Sequence, residues 1–348
     1  MAVKSNKWND DKVALLTENL KQGLTIPQIA EKMGESLDAI KHAISRYELR
    51  KEVPTVKKTA TKKADIIDLE AMNEKNFEEL KKAAKLQWEV KETKVAANKD
   101  KGFKTYLMMG DQHVPHQNPT VMKAVFKLMD DIKFDGFLLG GDFMDMGCIS
   151  HWNKTRHKTI EGQRLKEDFI QGNALLDEFD KRLPKGAEKW YLQGNHCLWM
   201  NDIVEEYPAL EGLITVQDAL FLEKRGYKWV KYNDFVHLGR LNICHGIYAT
   251  TNSVKKHLDE CKTNVLFFHT HTIAEQLSSS PAREIALSGY NVGCGCDLAP
   301  DYCKGRPNAW SHGIAIVYVW PNGYFEVDNH RILEGRFIYG QKIYDGNK

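Results

Sequence analysis

Phe134-Asp-Gly-Phe-Leu-Leu-Gly-Gly-Asp-Phe-Met-Asp145 reads as a short apolar strand running straight into a glycine-rich loop with two carboxylates. The 348-residue chain repeats this arrangement four more times. Phe103-Lys-Thr-Tyr-Leu-Met-Met109 leads into Gly110-Asp-Gln-His113, and Glu188-Lys-Trp-Tyr-Leu192 leads to Gly194-Asn-His196. Arg240-Leu-Asn-Ile-Cys244 ends on His245, and Asn264-Val-Leu-Phe-Phe268 on His269-Thr-His271. Between the first two strands, residues 119–128 carry a helical pattern with Asn118 or Pro119 at its start. Such alternation predicts an α/β sheet, in which ligands collect at the carboxyl ends of strands.

Any one of these motifs is ordinary: an Asp-x-His can be a surface pair, and Gly-Asn-His can be a tight turn. Taken together, on one edge of one sheet, they bring three carboxylates, one carboxamide and five imidazoles into one crevice. So many convergent ionisable groups would repel or stay unsatisfied without cations among them. A mixed nitrogen and oxygen donor set suits Mn²⁺ foremost, or Fe or Zn²⁺, better than Ca²⁺.

The order D-x-H, GD-x-x-D, GNH, H, H-x-H resembles the calcineurin-like metallophosphoesterase superfamily over residues 103–327. The resemblance implies a four-layer αββα sandwich of two mixed sheets and two divalent metal ions. It implies a first metal held by Asp111, His113, Asp142 and His271. A second would be held by Asp142, Asn195, His245 and His269, with Asp142 shared. Two such cations lower the pKa of a water between them and clamp the attacking and leaving oxygens of an in-line displacement. By the same resemblance His196 donates the proton to the leaving oxygen, and Asp145 orients that imidazole. The chain departs from the family pattern twice: Cys197 follows Gly-Asn-His in place of an acid, and Phe268 precedes His-x-His in place of glycine.

The remainder of the chain bears on where such a hydrolase acts. The formal net charge is only +2, and no apolar run approaches bilayer length; the longest, residues 313–320, reads as a buried strand. The N-terminus lacks the apolar core of a secretory signal, and seven scattered cysteines suit a reducing cytoplasm, which would be a host cytoplasm for a viral protein. Three short helices are expected in residues 1–51. Val13, Leu16 and Leu20 mark the first, which Gly23 ends. Thr25 and Gln28 form a capping box for the second, and Ser36 caps a third that buries Ile40, Ala43, Ile44 and Tyr47. This pattern resembles Myb-like and resolvase-like helix-turn-helix domains, which implies DNA as partner, with Lys41, Ser45 and Arg46 as the groove-facing candidates. A three-helix protein-docking module is the alternative. Residues 52–101 are expected to form a basic linker and a long helix, and residues 102–340 the catalytic domain. Residues 41–63 hold eight Lys or Arg against two Glu, a candidate phosphate-backbone contact or a solvated linker.

Where Ser/Thr protein phosphatases of the superfamily carry Arg-Gly after GD-x-x-D, this chain has Met146-Gly147. The stretch His151-Trp-Asn-Lys-Thr-Arg-His-Lys158 interleaves aromatic and basic residues near the expected crevice mouth, which suits base stacking beside phosphate contacts by Trp152, Arg156 and Lys158. A second such stretch, Tyr302, Lys304, Arg306 and Trp310, resembles viral and prophage members of the superfamily. Cys294, Cys296 and Cys303 lack a convincing fourth zinc ligand and read as core or loop residues. The leading expectation is a two-metal nuclease or phosphodiesterase acting on DNA. The alternatives are a phosphomonoesterase for protein or nucleotide, and a DNA-binding regulator with an idle phosphoesterase domain.

Overall fold

The structure, a computed structural model, describes residues 8–22, 24–47, 49, 101–213, 215–279, 286–300 and 308–348. They fall into two compact units, one within Met1–Met72 and one within Asn73–Lys348. The expected terminator Gly23, the basic residues from Arg50 to Lys63, and the linker helix over residues 64–97 lie outside the described residues.

In the first unit, α1 (Asp10–Lys21), α2 (Ile26–Met33) and α3 (Leu37–Arg46) form where the capping signals stand. Asn9 accepts the Lys12 N–H at 3.1 Å, Gln28 accepts the Thr25 N–H at 2.9 Å, and Ser36 accepts the Ala39 N–H at 3.2 Å. Each cap satisfies a backbone donor that the first helical turn leaves free. Leu16, Leu20, Ile29, Ala30, Ile40, Ala43 and Ile44 make one small core. Lys41, Ser45 and Arg46 are exposed on α3.

The second unit is built on two mixed sheets. The first runs β11-β10-β1-β2-β3-β4. It comprises β1 (Lys104–Met109), β2 (Gly136–Leu139), β3 (Glu188–Leu192), β4 (Tyr227–Val230), β10 (His312–Val319) and β11 (Phe325–Ile332). Strands β1 to β4 are parallel neighbours, and β10 joins β1 antiparallel. The second sheet runs β5-β6-β7-β9-β8, with β5 (Val236–Leu238), β6 (Leu241–Ile243), β7 (Asn264–Phe267), β8 (Ile273–Ser278) and β9 (Leu287–Val292). The five motif strands therefore do not share one sheet, as the alternation alone suggested. β1, β2 and β3 belong to the first sheet, β6 and β7 to the second.

Strand periodicity explains how two sheets come to share one site. Strand side chains alternate between faces. Leu107, Met109, Phe137, Leu139, Tyr191, Ile314 and Ile316 point to one face, against α4 (Pro119–Asp131) and α5 (Leu165–Asp180). Their strand neighbours Tyr106, Met108, Leu138, Trp190, Leu192, Ala315 and Val317 point to the other face and meet Leu241, Ile243, Leu266, Phe268 and Val292 of the second sheet. That sheet's far face, with Cys244, Val265 and Phe267, packs on Val254 and Leu258 of a further helix (Ser253–Cys261). The layers are thus α–β–β–α, as the resemblance implied. Among the described residues no helix is long and apolar enough to cross a membrane.

Phe268 is the hinge of this arrangement. It is fully buried between the sheets, and its ring lies on the backbone of the two motif loops of the first sheet. A Cβ at Gly110 would meet that ring at 2.6 Å, and one at Gly140 at 2.3 Å. The phenylalanine before His-x-His is accommodated because its partners are glycines. Its burial contributes about 1.5–3 kcal/mol.

Candidate metal centre

Register sets the site. Met109 lies opposite Leu139, and Leu139 opposite Tyr191, so three loops leave adjacent strands at one level. Backbone bonds stitch them together: the Asp111 N–H donates to Gly141 O at 3.0 Å and the His113 N–H to Asp142 O at 3.0 Å. The Phe268 N–H donates to His245 O at 2.8 Å, which ties the two loops of the second sheet.

These loops hold unusual backbone. Asp111, His113, Asp142, His269 and His271 all have positive φ, between 43° and 71°. Non-glycine residues in that region cost on the order of 1–3 kcal/mol each and persist where the surroundings over-determine them, commonly at functional sites. Two glycines are sterically required. A Cβ at Gly194 would fall 2.0 Å from Asp142 Oδ1, and one at Gly141 2.3 Å from His245 Nδ1.

The structure brings all seven expected ligands together. The ligand atoms of Asp111, His113 and Asp142 lie within 4.8 Å of one another, as do those of Asp142, His245 and His269. Asp142 is common to both groups. Asp111 Oδ1 is buried without a hydrogen-bond donor and lies 3.2 Å from His271 Nε2 and 3.8 Å from His113 Nε2. Those two ring nitrogens are themselves 3.2 Å apart. Asp142 Oδ2 lies 3.2 Å from His245 Nε2, which also meets Asn195 Oδ1 at 3.1 Å. An orphaned carboxylate oxygen and facing imidazole nitrogens are a donor set that fits divalent cations.

The outer hydrogen bonds fix which nitrogen faces inward. His245 Nδ1 donates to Gly140 O at 2.8 Å, and His113 Nδ1 to Asp145 Oδ1 at 3.1 Å, so each presents Nε2 to the centre. Asp145 reaches both His113 and His196. Its carboxylate pairs with His113 and lies 3.7 Å from His196 Nδ1, while its backbone carbonyl takes that Nδ1 at 2.7 Å. His196 is the second residue of α6 (Asn195–Glu206), and its backbone N–H is anchored on Asp142 Oδ1 at 2.9 Å, which sets the ring against the main chain at residue 145.

Electrostatics follow the same pairs. Burial opposes ionisation of Asp111, Asp142 and Asp145, yet the imidazoles beside them outweigh it. His271 holds Asp111 below the ordinary carboxylate range, His196 and His245 hold Asp142 well below it, and His113 lowers Asp145. In return, and against their own burial, Asp142 pushes His245 up to about 9 and Asp111 pushes His271 up to about 10. Burial and the neighbouring His245 pull His269 down to about 4, and burial also lowers His113. Cys197, which follows Gly-Asn-His, is buried, and desolvation with Asp142 nearby pushes its thiol up to about 12, so it adds no charge.

These shifts make a prediction about metal uptake. His245 and His271 are raised above their ordinary value, so both hold a proton at pH 7.5 in the metal-free protein and lose it only as pH climbs through 9 to 10. Ligation needs the neutral ring, so metal binding should release about two protons at pH 7.5 and tighten as pH rises. Calorimetric titration with Mn²⁺ in buffers of different ionisation enthalpy measures this count. A buffer-independent heat would contradict it.

The crevice above these residues encloses about 440 Å³. Trp152 and Arg156 line it, and Lys158 lines an adjoining cavity. Three contacts escaped the sequence reading. Trp199 packs at a tilt against His196 with centroids 4.0 Å apart, Trp310 meets His271 at 4.1 Å, and Cys296 Sγ lies 4.0 Å from His271 Nδ1. The first was legible as an i, i+3 pair on a helix; the other two join residues distant in sequence. Tyr302, Cys303, Lys304 and Arg306 lie outside the described residues. The described cysteines, Cys148, Cys197, Cys244, Cys261, Cys294 and Cys296, are free thiols.

No family model matches the chain, and no curated protein matches it. Solved structures give distant likenesses. Wild-type Vps29 complexed with zinc from Entamoeba histolytica is 11% identical, with 70% of this chain and 99% of that one covered at a TM-score of 0.35. A metallophosphoesterase from Sphaerobacter thermophilus is 15% identical, covering 66% and 88% at 0.33. The nuclease MPE of Pseudomonas putida is 10% identical, covering 69% and 86% at 0.29. At such identities and scores, the reading of this site rests on its own residues.

Proposed function

We propose that the chain is a two-metal phosphoester hydrolase that cleaves phosphodiesters of DNA. The observation that carries this reading is the sharing of Asp142 between two clusters of ligand atoms in one crevice. One cation would take Asp111, His113, Asp142 and His271, and the other Asp142, Asn195, His245 and His269, with Mn²⁺ the leading ion. Bound there, the pair supplies positive charge for the phosphoryl oxygens and lowers the pKa of water.

The chain's own residues supply the rest. A carbonyl oxygen only accepts, so the His196 Nδ1 facing Asp145 O carries a hydrogen, and the transferable proton belongs to Nε2. Nε2 lies 3.9 Å from Asp142 Oδ2 and so faces the reacting centre. The Trp199 ring and the Asp145 carbonyl hold the imidazole in that pose, ready to protonate a leaving oxygen. The diester reading is supported by Trp152, 72% exposed at the crevice, which offers a face for a base. The DNA reading draws on the helix-turn-helix pattern and the exposed Lys41, Ser45 and Arg46.

The full chain with Mn²⁺ should hydrolyse bis-p-nitrophenyl phosphate and cleave DNA. Activity confined to monoesters would overturn the diester assignment. Joint replacement of Lys41→Ala and Arg46→Ala should weaken DNA binding and flatten its log–log salt dependence by about two. An unchanged slope would reassign the first unit to protein docking.

A further inference from the structure

Beside the crevice lies a second cavity of about 830 Å³, within the range that holds drug-sized ligands. The two share a wall made of Asp145, Gly147, Asn153 and Arg156. Beyond that wall the larger cavity is lined by Lys158 and His116. The cations here are available. Lys154, just before them in sequence, is taken by Glu206 at 2.6 Å, whereas among the described residues no carboxylate pairs with Arg156 or Lys158. The Asp145 carboxylate on the shared wall already faces His113 at 3.1 Å and His116 at 3.8 Å. Asp297 lines the cavity too and disfavours an anion on its own side. An anion therefore belongs against Arg156 and Lys158, next to the reacting centre but outside it.

Resting on the phosphoesterase reading, we propose that this cavity receives a second, non-scissile phosphoryl group of the substrate, bound by Arg156 from the shared wall and by Lys158. The substrate then carries at least two phosphoryl groups one unit apart. Such a group comes either from the next linkage of a nucleotide strand or from the second phosphate of a nucleoside diphosphate. Guanidinium suits it, since its fork can hold two phosphate oxygens at once. Among the described residues neither cation forms a hydrogen bond or ion pair with the expected metal ligands, so their contribution is selection and positioning rather than chemistry.

Binding to the full chain in chelator, followed by tryptophan fluorescence, tests the site without turnover. The probes are a thymidine dinucleotide bearing a phosphate at its 5′ end, at its 3′ end or at neither, together with thymidine diphosphate. One terminally phosphorylated dinucleotide or the diphosphate should bind roughly tenfold more tightly than the unphosphorylated dinucleotide. In the protein with Arg156→Ala and Lys158→Ala that preference should shrink to about twofold or less. Absence of a preference in the wild type, or its survival in the double variant, overturns the proposal. Tighter binding of the dinucleotide names a strand as source, and tighter binding of the diphosphate names a nucleotide; either order keeps the site. Failure to hydrolyse bis-p-nitrophenyl phosphate alongside an intact phosphate preference would reject the hydrolase reading alone.

Discussion

Asp142→Asn should reduce metal-dependent hydrolysis by on the order of a thousandfold or more while the protein stays folded. The carboxylate is the one side chain common to both ligand clusters. Its two oxygens divide the work: Oδ1 accepts the His196 N–H at 2.9 Å, and Oδ2 faces His245 Nε2 at 3.2 Å. Asparagine keeps the first contact through its oxygen, which preserves the start of α6. It removes the negative charge that two neighbouring cations would share, and it turns an amide hydrogen toward a nitrogen that must itself become a ligand. His245 also loses the chief reason for its raised pKa, so fewer protons should be released when metal is added to this variant. Metal content by elemental analysis and initial rates on bis-p-nitrophenyl phosphate provide the measurements. Near wild-type rates with full metal would remove Asp142 from the shared position. DNA binding that survives while turnover is lost would be expected of the first unit and would not distinguish a regulator, but a cellular function surviving that loss would favour one.

The order and spacing of the motifs make this centre readable in the sequence. Each ligand follows a strand of β-branched, aromatic and large apolar residues, and strand ends are where a sheet places its loops. The continuous burial of Tyr106 to Met109 and of Phe137 to Leu139 was equally implicit in their unbroken apolar runs, because these strands are covered on both faces. What periodicity could not deliver was the division into two sheets. A buried parallel strand looks the same in either, and only the pairing of β10 with β1 and of β9 with β7 separates them. The additional contact of the Asp145 carboxylate with His113 was hidden for a related reason. Sequence spacing puts a carboxylate three residues after Asp142, but the left-handed turn at Asp142 and the backbone bond from Asp145 N–H to Val114 O at 2.9 Å decide which imidazole it meets. Contacts such as Trp310 with His271 join distant residues and leave no local signal. The paired caps of α2 and α3 show the opposite limit, where three or four residues decide the outcome alone.

His196→Gln should separate proton transfer from metal binding. If the imidazole donates to the leaving oxygen, its loss should cost roughly 10² to 10⁴ in rate on esters whose leaving group is a poor one, such as the sugar oxygen of DNA. On bis-p-nitrophenyl phosphate the same variant should lose much less, because p-nitrophenolate departs without protonation. Metal content should stay close to that of the wild type, since His196 Nδ1 is committed to the Asp145 carbonyl and Nε2 stands 3.9 Å from Asp142. Glutamine was chosen because its amide can still donate to that carbonyl and leave the Trp199 face packed. Three outcomes discriminate. A leaving-group-dependent loss with metal retained supports the donor role. An equal loss on both substrates with metal retained would make His196 a binding or positioning residue. Equal losses of metal and rate would make it a ligand, which the proximity of its ring to His113, with centroids 4.5 Å apart, allows geometrically. The leaving-group comparison is the stronger of the two readouts, because a general collapse of the crevice would slow both esters alike, whereas removal of a proton donor slows only the one that needs it.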